Sequence, residues 1–121
     1  MNERVEKALN EQIEKEASSS QFYLAMASWA EGNGLEGTAK FLYGHSDEER
    51  FHMLKLVKFV NERGGTARIP GISEPPVEFN SLKKVFELLL EHELMVTESI
   101  NNLVDVCLQE KDYTTHNFVQ W

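Results

Sequence analysis

The sequence predicts an all-α fold: a bundle of four helices with one long crossover, three helices and the start of a fourth lying within residues 1–121. Three observations carry this prediction. Apolar residues recur at three- and four-residue spacing through three long stretches. A proline-bearing segment without that period separates the second stretch from the third. Helical spacing then resumes just before Trp121.

The first helix is expected from about Glu3 to Glu31, with Val5, Leu9, Ile13, Ser20, Tyr23 and Ala27 on one stripe. Gly32-Asn33-Gly34 stops it, since glycine and asparagine accept the backbone conformation that ends a helix. The second runs from about Leu35 to Arg63, striped by Thr38, Leu42, His45, Leu56 and Phe59, and ends at Gly64-Gly65. Ser81 is a good N-cap for the third. That helix continues to about Gln109 with Leu82, Phe86, Leu89, Val96, Ile100, Leu103 and Cys107 on its stripe. A fourth begins near Tyr113-Thr114, with Phe118 and Trp121 as its first apolar positions. Two patches are poor helix formers: Gly44, where an interior glycine costs about 1 kcal/mol relative to alanine, and Ser18-Ser19-Ser20, which would permit close approach to a neighbour.

The segment from Gly65 to Ser81, carrying Pro70, Pro75 and Pro76, sets the topology. Extended, it reaches roughly 50 Å at about 3.3 Å per residue. A helix of this size is only ~40 Å long at 1.5 Å per residue. The strap can therefore run the length of the bundle and make helices two and three parallel. Short turns make helices one and two antiparallel, and three and four likewise. No domain boundary, repeat or low-complexity tract appears, so residues 1–121 read as one domain.

Composition narrows the function. Hydrophobic residues at 41% and charged residues at 26% give a globular balance. A net charge of −8 argues against nucleic acid or an anionic membrane as partner, because both repel an acidic surface. The single cysteine, Cys107, builds no disulfide framework and fits a reducing cytoplasm. Neither a secretory signal nor a transmembrane run is visible.

The informative residues interrupt the stripes. Glu16 stands between Ile13 and Ser20, Glu49 and His52 between His45 and Leu56, and Glu93 between Leu89 and Val96. Glu49 and His52, three apart, share a helix face and can grip one ion together. Height follows from counting. Glu16 lies 17 residues before Asn33 and Glu49 lies 16 after it, so an antiparallel hairpin brings them level. Glu93 lies 12 residues after Ser81 and Glu49 lies 11 after Thr38, which is again one level for parallel helices. A lone glutamate on an apolar stripe is usually an edge residue with its head in water. Three carboxylates at one depth would repel and take up protons unless cations neutralised them. A pair of divalent ions removes that penalty, and carboxylates with one imidazole suit iron or manganese better than structural zinc. Two ions roughly 3.5–4 Å apart would share Glu49.

At these residues the chain resembles a bacterial or archaeal non-haem ferritin. LNEQIEKEASSSQFYLAMASW, HSDEERFHMLKLVKFVNERGG, LEHELMVTESINNLVDVCLQEKD and FVQW carry the resemblance. It implies a ferritin-like four-helix bundle and an iron-storage ferroxidase that oxidises Fe(II) with O2 or peroxide and stores Fe(III) as mineral inside a 24-subunit shell. Glu16 and His52 would be terminal ligands of the first iron, Glu49 the bridge, and Glu93 a ligand of the second. Tyr23 matches the tyrosine beside the ferroxidase centre and reads equally as a core aromatic. Glu48 matches a ligand of an accessory third iron site and also reads as a solvated surface residue. His45 reads as a hydrogen-bonded core histidine, His92 and His116 as surface residues, and Met53 as packing.

The family's pattern continues past Trp121. By the same count the fourth helix would deliver its ligand about 15 residues after Asp112, so the second iron's remaining ligand is not among these residues. A chain truncated within the fourth helix would leave an apolar groove, to be filled by a dimer or other assembly. The alternatives to a ferroxidase are a non-catalytic metal binder and a self-associating helical fragment.

Overall fold

Asn2 opens the first helix by accepting hydrogen bonds from the Arg4 and Val5 amides at 2.9 and 3.0 Å, which satisfies two otherwise orphaned donors. A computed structural model describes all of Met1–Trp121 as four helices with no strand: α1 (Glu3–Gly32), α2 (Glu36–Glu62), α3 (Leu82–Gln109) and α4 (Tyr113–Phe118). The punctuation acts as the sequence suggests. Gly34 at φ 75° and Gly64 at φ 82° take the left-handed conformation that terminates α1 and α2. Ser81 caps α3 by accepting from the Lys84 amide at 3.1 Å. No helix is long and apolar enough to cross a membrane.

Helix α1 is the spine. It packs along α2 and along α3, whereas α2 and α3 make no backbone approach to each other and α4 meets only α3 at backbone level. Ser20 meets Ser46 and Glu16 meets His52, while Tyr23 meets Glu93 and Gln12 meets Ser99, so both pairings with α1 are antiparallel and α2 and α3 run parallel. The strap makes this possible by following α1 from end to end. At its start the Thr66 amide donates to Glu6 Oε1 (2.7 Å) and the Arg68 amide to Asn10 Oδ1 (2.8 Å). At its far end Trp29 Nε1 donates to Glu78 Oε1 (2.8 Å), and Phe79 is buried beside Phe22 and Trp29.

Two apolar cores fill the two ends. One joins Val5, Leu9 and Ile13 of α1 to Leu56, Phe59 and Val60 of α2 and Leu103 and Cys107 of α3. Met53 packs against it, as a flexible gap-filler does. The other joins Tyr23, Met26, Ala27 and Ala30 to Ala39, Leu42, Phe79, Val85 and Leu89. Between them lies a belt of buried polar side chains: Gln12, Glu16, Ser19, Ser20, Ser46, Glu49 and Ser99. In that belt the serine patch brings α1 against α2. Ser20 Oγ donates to Ser46 O and Ser46 Oγ to Ser20 O, both at 2.8 Å. Gly44 has no such role, since a Cβ there would meet nothing within 4 Å.

Helix α3 is rotated from the expected stripe. Val85, Leu89, Val96, Ser99, Leu103 and Cys107 are buried, whereas Leu82 and Phe86 are exposed. With only α1 to pack against along most of its length, α3 turns one narrow face inward. Leu82 and Phe86 belong to the neighbouring face beside the open α2–α3 groove, where Phe86 looks across to Phe41, ring centroids 6.5 Å apart. At the end of α4, Phe118 stacks flat on Phe59 of α2 at 3.9 Å.

Candidate metal centre

The polar belt opens into a cavity of ≈ 260 Å³ between α2 and α3, with Glu16 at its floor. Helical spacing puts Glu49 and His52 on one face of α2, and the antiparallel pairing sets that face opposite Glu16. His52 Nδ1 lies 3.9 Å from Glu16 Oε2 and 3.8 Å from Glu49 Oε2. Each of the three offers one ligand atom, and those atoms lie within 4.8 Å of one another. Glu16 is 1% exposed and Glu49 5%.

Both carboxylates keep an oxygen, Glu16 Oε2 and Glu49 Oε2, buried without a hydrogen-bond partner. Unpartnered acceptors of this kind are costly unless something positive completes them. Without a cation the pair manages its charge with a proton. Burial, reinforced by the adjoining Glu49 carboxyl, pushes Glu16 up to about 9. On Glu49 burial also acts upward, but the nearness of His52 and of Glu16 outweighs it, and its carboxyl is held below the ordinary value. Near neutral pH the pair together holds a proton, and an entering cation displaces it. The oxygen-rich donor set fits a hard or borderline divalent ion. No thiolate competes, because Cys107 is in the apolar core, where burial and then Asp112 push its thiol up to about 11.

Glu93 reaches the same cavity but does not join the trio. Its Oε1 accepts a hydrogen bond from Tyr23 Oη at 3.0 Å and lies 3.4 Å from His45 Nδ1, with 39% of its side chain exposed. The expected level is therefore right, whereas the expected burial is not. The separation of α2 from α3 leaves Glu93 facing open groove. Tyr23 is fully buried, and burial together with Glu93 raises its phenol well above the usual range. Tyr23 thus meets the site through Glu93. Glu48 lines the cavity from an exposed position on α2.

Other residues depart from the sequence reading. His45 is half-buried between Phe41 and Tyr23 and faces Glu93. His92 is no simple surface residue: it stacks on Phe22 at 4.2 Å, and burial lowers its pKa. Trp121 borders the cavity, its ring 5.8 Å from His52 and 4.9 Å from Lys55 Nζ. Gln12 and Ser99 were not anticipated. Gln12 Nε2 donates to Glu16 Oε1 at 3.1 Å, and Ser99 Oγ donates to Gln12 Oε1. A readable signal existed, since Gln12 is one turn before Glu16 on the same face.

Known proteins are similar to this chain over its whole length. The family described as "Ferritin-like domain" matches residues 6–121. The chain is 47% identical to a probable bacterial non-heme ferritin-like protein of Haemophilus influenzae, over 100% of this chain and 73% of that protein. It is 43% identical to the bacterial non-heme ferritin of Campylobacter jejuni, over 100% of this chain and 72% of that one. Among solved structures, the ferritin of Chlorobium tepidum superposes with a TM-score of 0.95 at 40% identity, covering 100% of this chain and 74% of the other.

Proposed function

This chain belongs to the ferritin family, and on that premise we propose that it serves iron storage, taking Fe(II) as substrate and oxidising it at the Glu16–Glu49–His52 centre. The observation that carries this reading is the pair of buried, unpartnered carboxylate oxygens converging with one imidazole. Glu16 and His52 hold the first ion, and Glu49 lies between it and a second. Glu93, oriented by Tyr23, serves the second ion from α3. The electron balance is simple: two Fe(II) give up one electron each, and O2 takes both with two protons to form H2O2. Peroxide as oxidant takes the same two electrons with two protons to form two waters. Fe(III), smaller and more highly charged, hydrolyses and leaves for storage. The proton held by the Glu16–Glu49 pair departs when the first ion binds, so the site gains negative charge as the positive charge arrives.

The working form is a homo-oligomer in the cytoplasm that encloses the mineral, with neither nucleic acid nor membrane as partner. Residues 1–121 act as one ferritin-like di-iron domain. A second reading has one specific observation behind it. Three ligand atoms, not six, converge, which describes a binder of a single ion that does not turn over. Oxygen uptake separates the two. Anaerobic Fe(II) is mixed with air-saturated buffer while an electrode records O2 and the ferric absorbance is followed. Uptake in proportion to added iron supports the ferroxidase, whereas Fe(II) binding with no uptake above the buffer blank rejects it in favour of the single-ion binder.

A further inference from the structure

We propose that Gln12 is a positioning residue for the centre: it ties one oxygen of Glu16 and so aims the other at the incoming cation, an inference that rests on the ion-binding reading above. The three side chains involved are almost wholly buried, Gln12 2% exposed, Ser99 7% and Glu16 1%. They form a directed chain from α3 through α1 to the ligand. Ser99 Oγ donates to Gln12 Oε1, and Gln12 Nε2 donates to Glu16 Oε1 at 3.1 Å.

The direction matters because the two ends of a glutamine amide have opposite polarity. Turned half round, Gln12 would set its oxygen against the carboxylate oxygen. With the Ser99 hydroxyl donating to the carbonyl end, the N–H end faces Glu16. Ser99 on α3 therefore anchors the far end of Gln12 while the N–H end holds the α1 ligand. The result is an asymmetric carboxylate. Oε1 is tied, and Oε2 is left buried and unpartnered, 3.9 Å from His52 Nδ1. A glutamate's last torsion has a broad, two-fold preference, so without the tie the carboxyl plane would turn and the ligand oxygen would lose its fixed place. Holding it still removes an ordering cost that the cation would otherwise meet on binding. Hydrogen-bond partners of metal ligands typically influence affinity about 10–100-fold.

The test uses Co(II), which reports on its ligands by visible absorption and needs no turnover. Titrations on the full chain measure affinity and spectrum for the wild type, Gln12→Leu, Ser99→Ala and the double variant, with thermal melting recorded alongside. Gln12→Leu keeps bulk and removes both hydrogen bonds. It should weaken Co(II) binding about 10-fold and shift the absorption bands. Ser99→Ala, which leaves Gln12 in place but unanchored, should weaken it about 3-fold, and the double variant should bind no worse than Gln12→Leu, since the two act in series. Wild-type affinity and spectrum in Gln12→Leu, whatever its melting temperature, overturn the proposal. If Gln12→Leu does not fold, an unchanged spectrum and affinity in Ser99→Ala overturn it instead. A wild type that binds no Co(II) defeats the ion-binding reading and the positioning role with it.

Discussion

The α1–α2 side of the centre and its α3 side use the same residue type in opposite settings. Glu16 and Glu49 sit where two helices pack tightly through reciprocal serine bonds, so their carboxyls are dry and share a proton. Glu93 projects from a helix whose backbone nears only that of α1 at that height, and water reaches its side chain. Burial turns a carboxylate into a poised ligand, because a desolvated oxygen without a partner gains most from a cation. An exposed one already has water. The α1–α2 side should therefore set affinity, and the α3 side should tune what happens afterwards.

The largest expected effect comes from Glu49, the residue proposed to serve both ion positions. Glu49→Ala removes the oxygen proposed to lie between the two ion positions and should slow Fe(II) oxidation more than about a hundredfold, beyond the range of losses in supporting residues. The helical circular dichroism should stay unchanged, since no apolar contact of either core is lost. Stopped-flow ferric absorbance at wild-type rates would remove the bridge. Glu93→Gln should be milder, slowing oxidation about 10-fold with first-ion affinity nearly intact. If Glu93→Gln lowers that affinity as much as Glu16→Gln does, the two sides are not distinct.

A smaller effect appears without metal. Glu16 holds its proton up to about 9 in the fold, whereas its ordinary value is 4.5. Between those values unfolding releases a proton, so stability present below the ordinary carboxylate range is lost as pH rises toward 9. Glu49, held low, has the opposite sign: its contribution is present above the ordinary range and lost as pH falls through its depressed value. The metal-free protein should therefore lose on the order of 2 kcal/mol between about pH 5.5 and 8.5, discounted for water on the groove side. Glu16→Gln should flatten that slope in urea melts monitored by circular dichroism. A slope unchanged by the substitution would place the shared proton elsewhere.

The same contrast explains what could be read from sequence. Helix ends were legible because Gly34, Gly64 and Ser81 act through local chemistry. The level of the ligands was legible because residue counts convert directly to height along a helix. Rotation about a helix axis was not. Leu82 and Phe86 were assigned to the core on period alone, yet the buried face of α3 depends on which neighbours surround it. For the same reason Glu93 was placed correctly in height and wrongly in burial. Gln12 is legible in part, one turn before Glu16, whereas its anchor Ser99 stands 87 residues away and no local pattern points to it.

The smallest effect is expected from Glu48, and it marks the outer edge of the comparison. Glu48 lines the cavity beside Glu49, but it points from an exposed position where solvent already satisfies its oxygens. Attraction between its charge and an ion in the cavity is screened by water and salt, with a Debye length of about 8 Å at physiological ionic strength. Glu48→Gln should thus leave first-ion affinity and the initial oxidation rate within about two-fold of wild type at that salt. Lowering the ionic strength should widen the gap, because a charge that acts through solvent is felt more strongly when screening weakens. Oxidation rates measured for both proteins across a salt series decide the matter. A large, salt-independent loss in Glu48→Gln would mean that Glu48 binds the ion directly, and the border between the dry and wet sides of the centre would then have to be redrawn to include it.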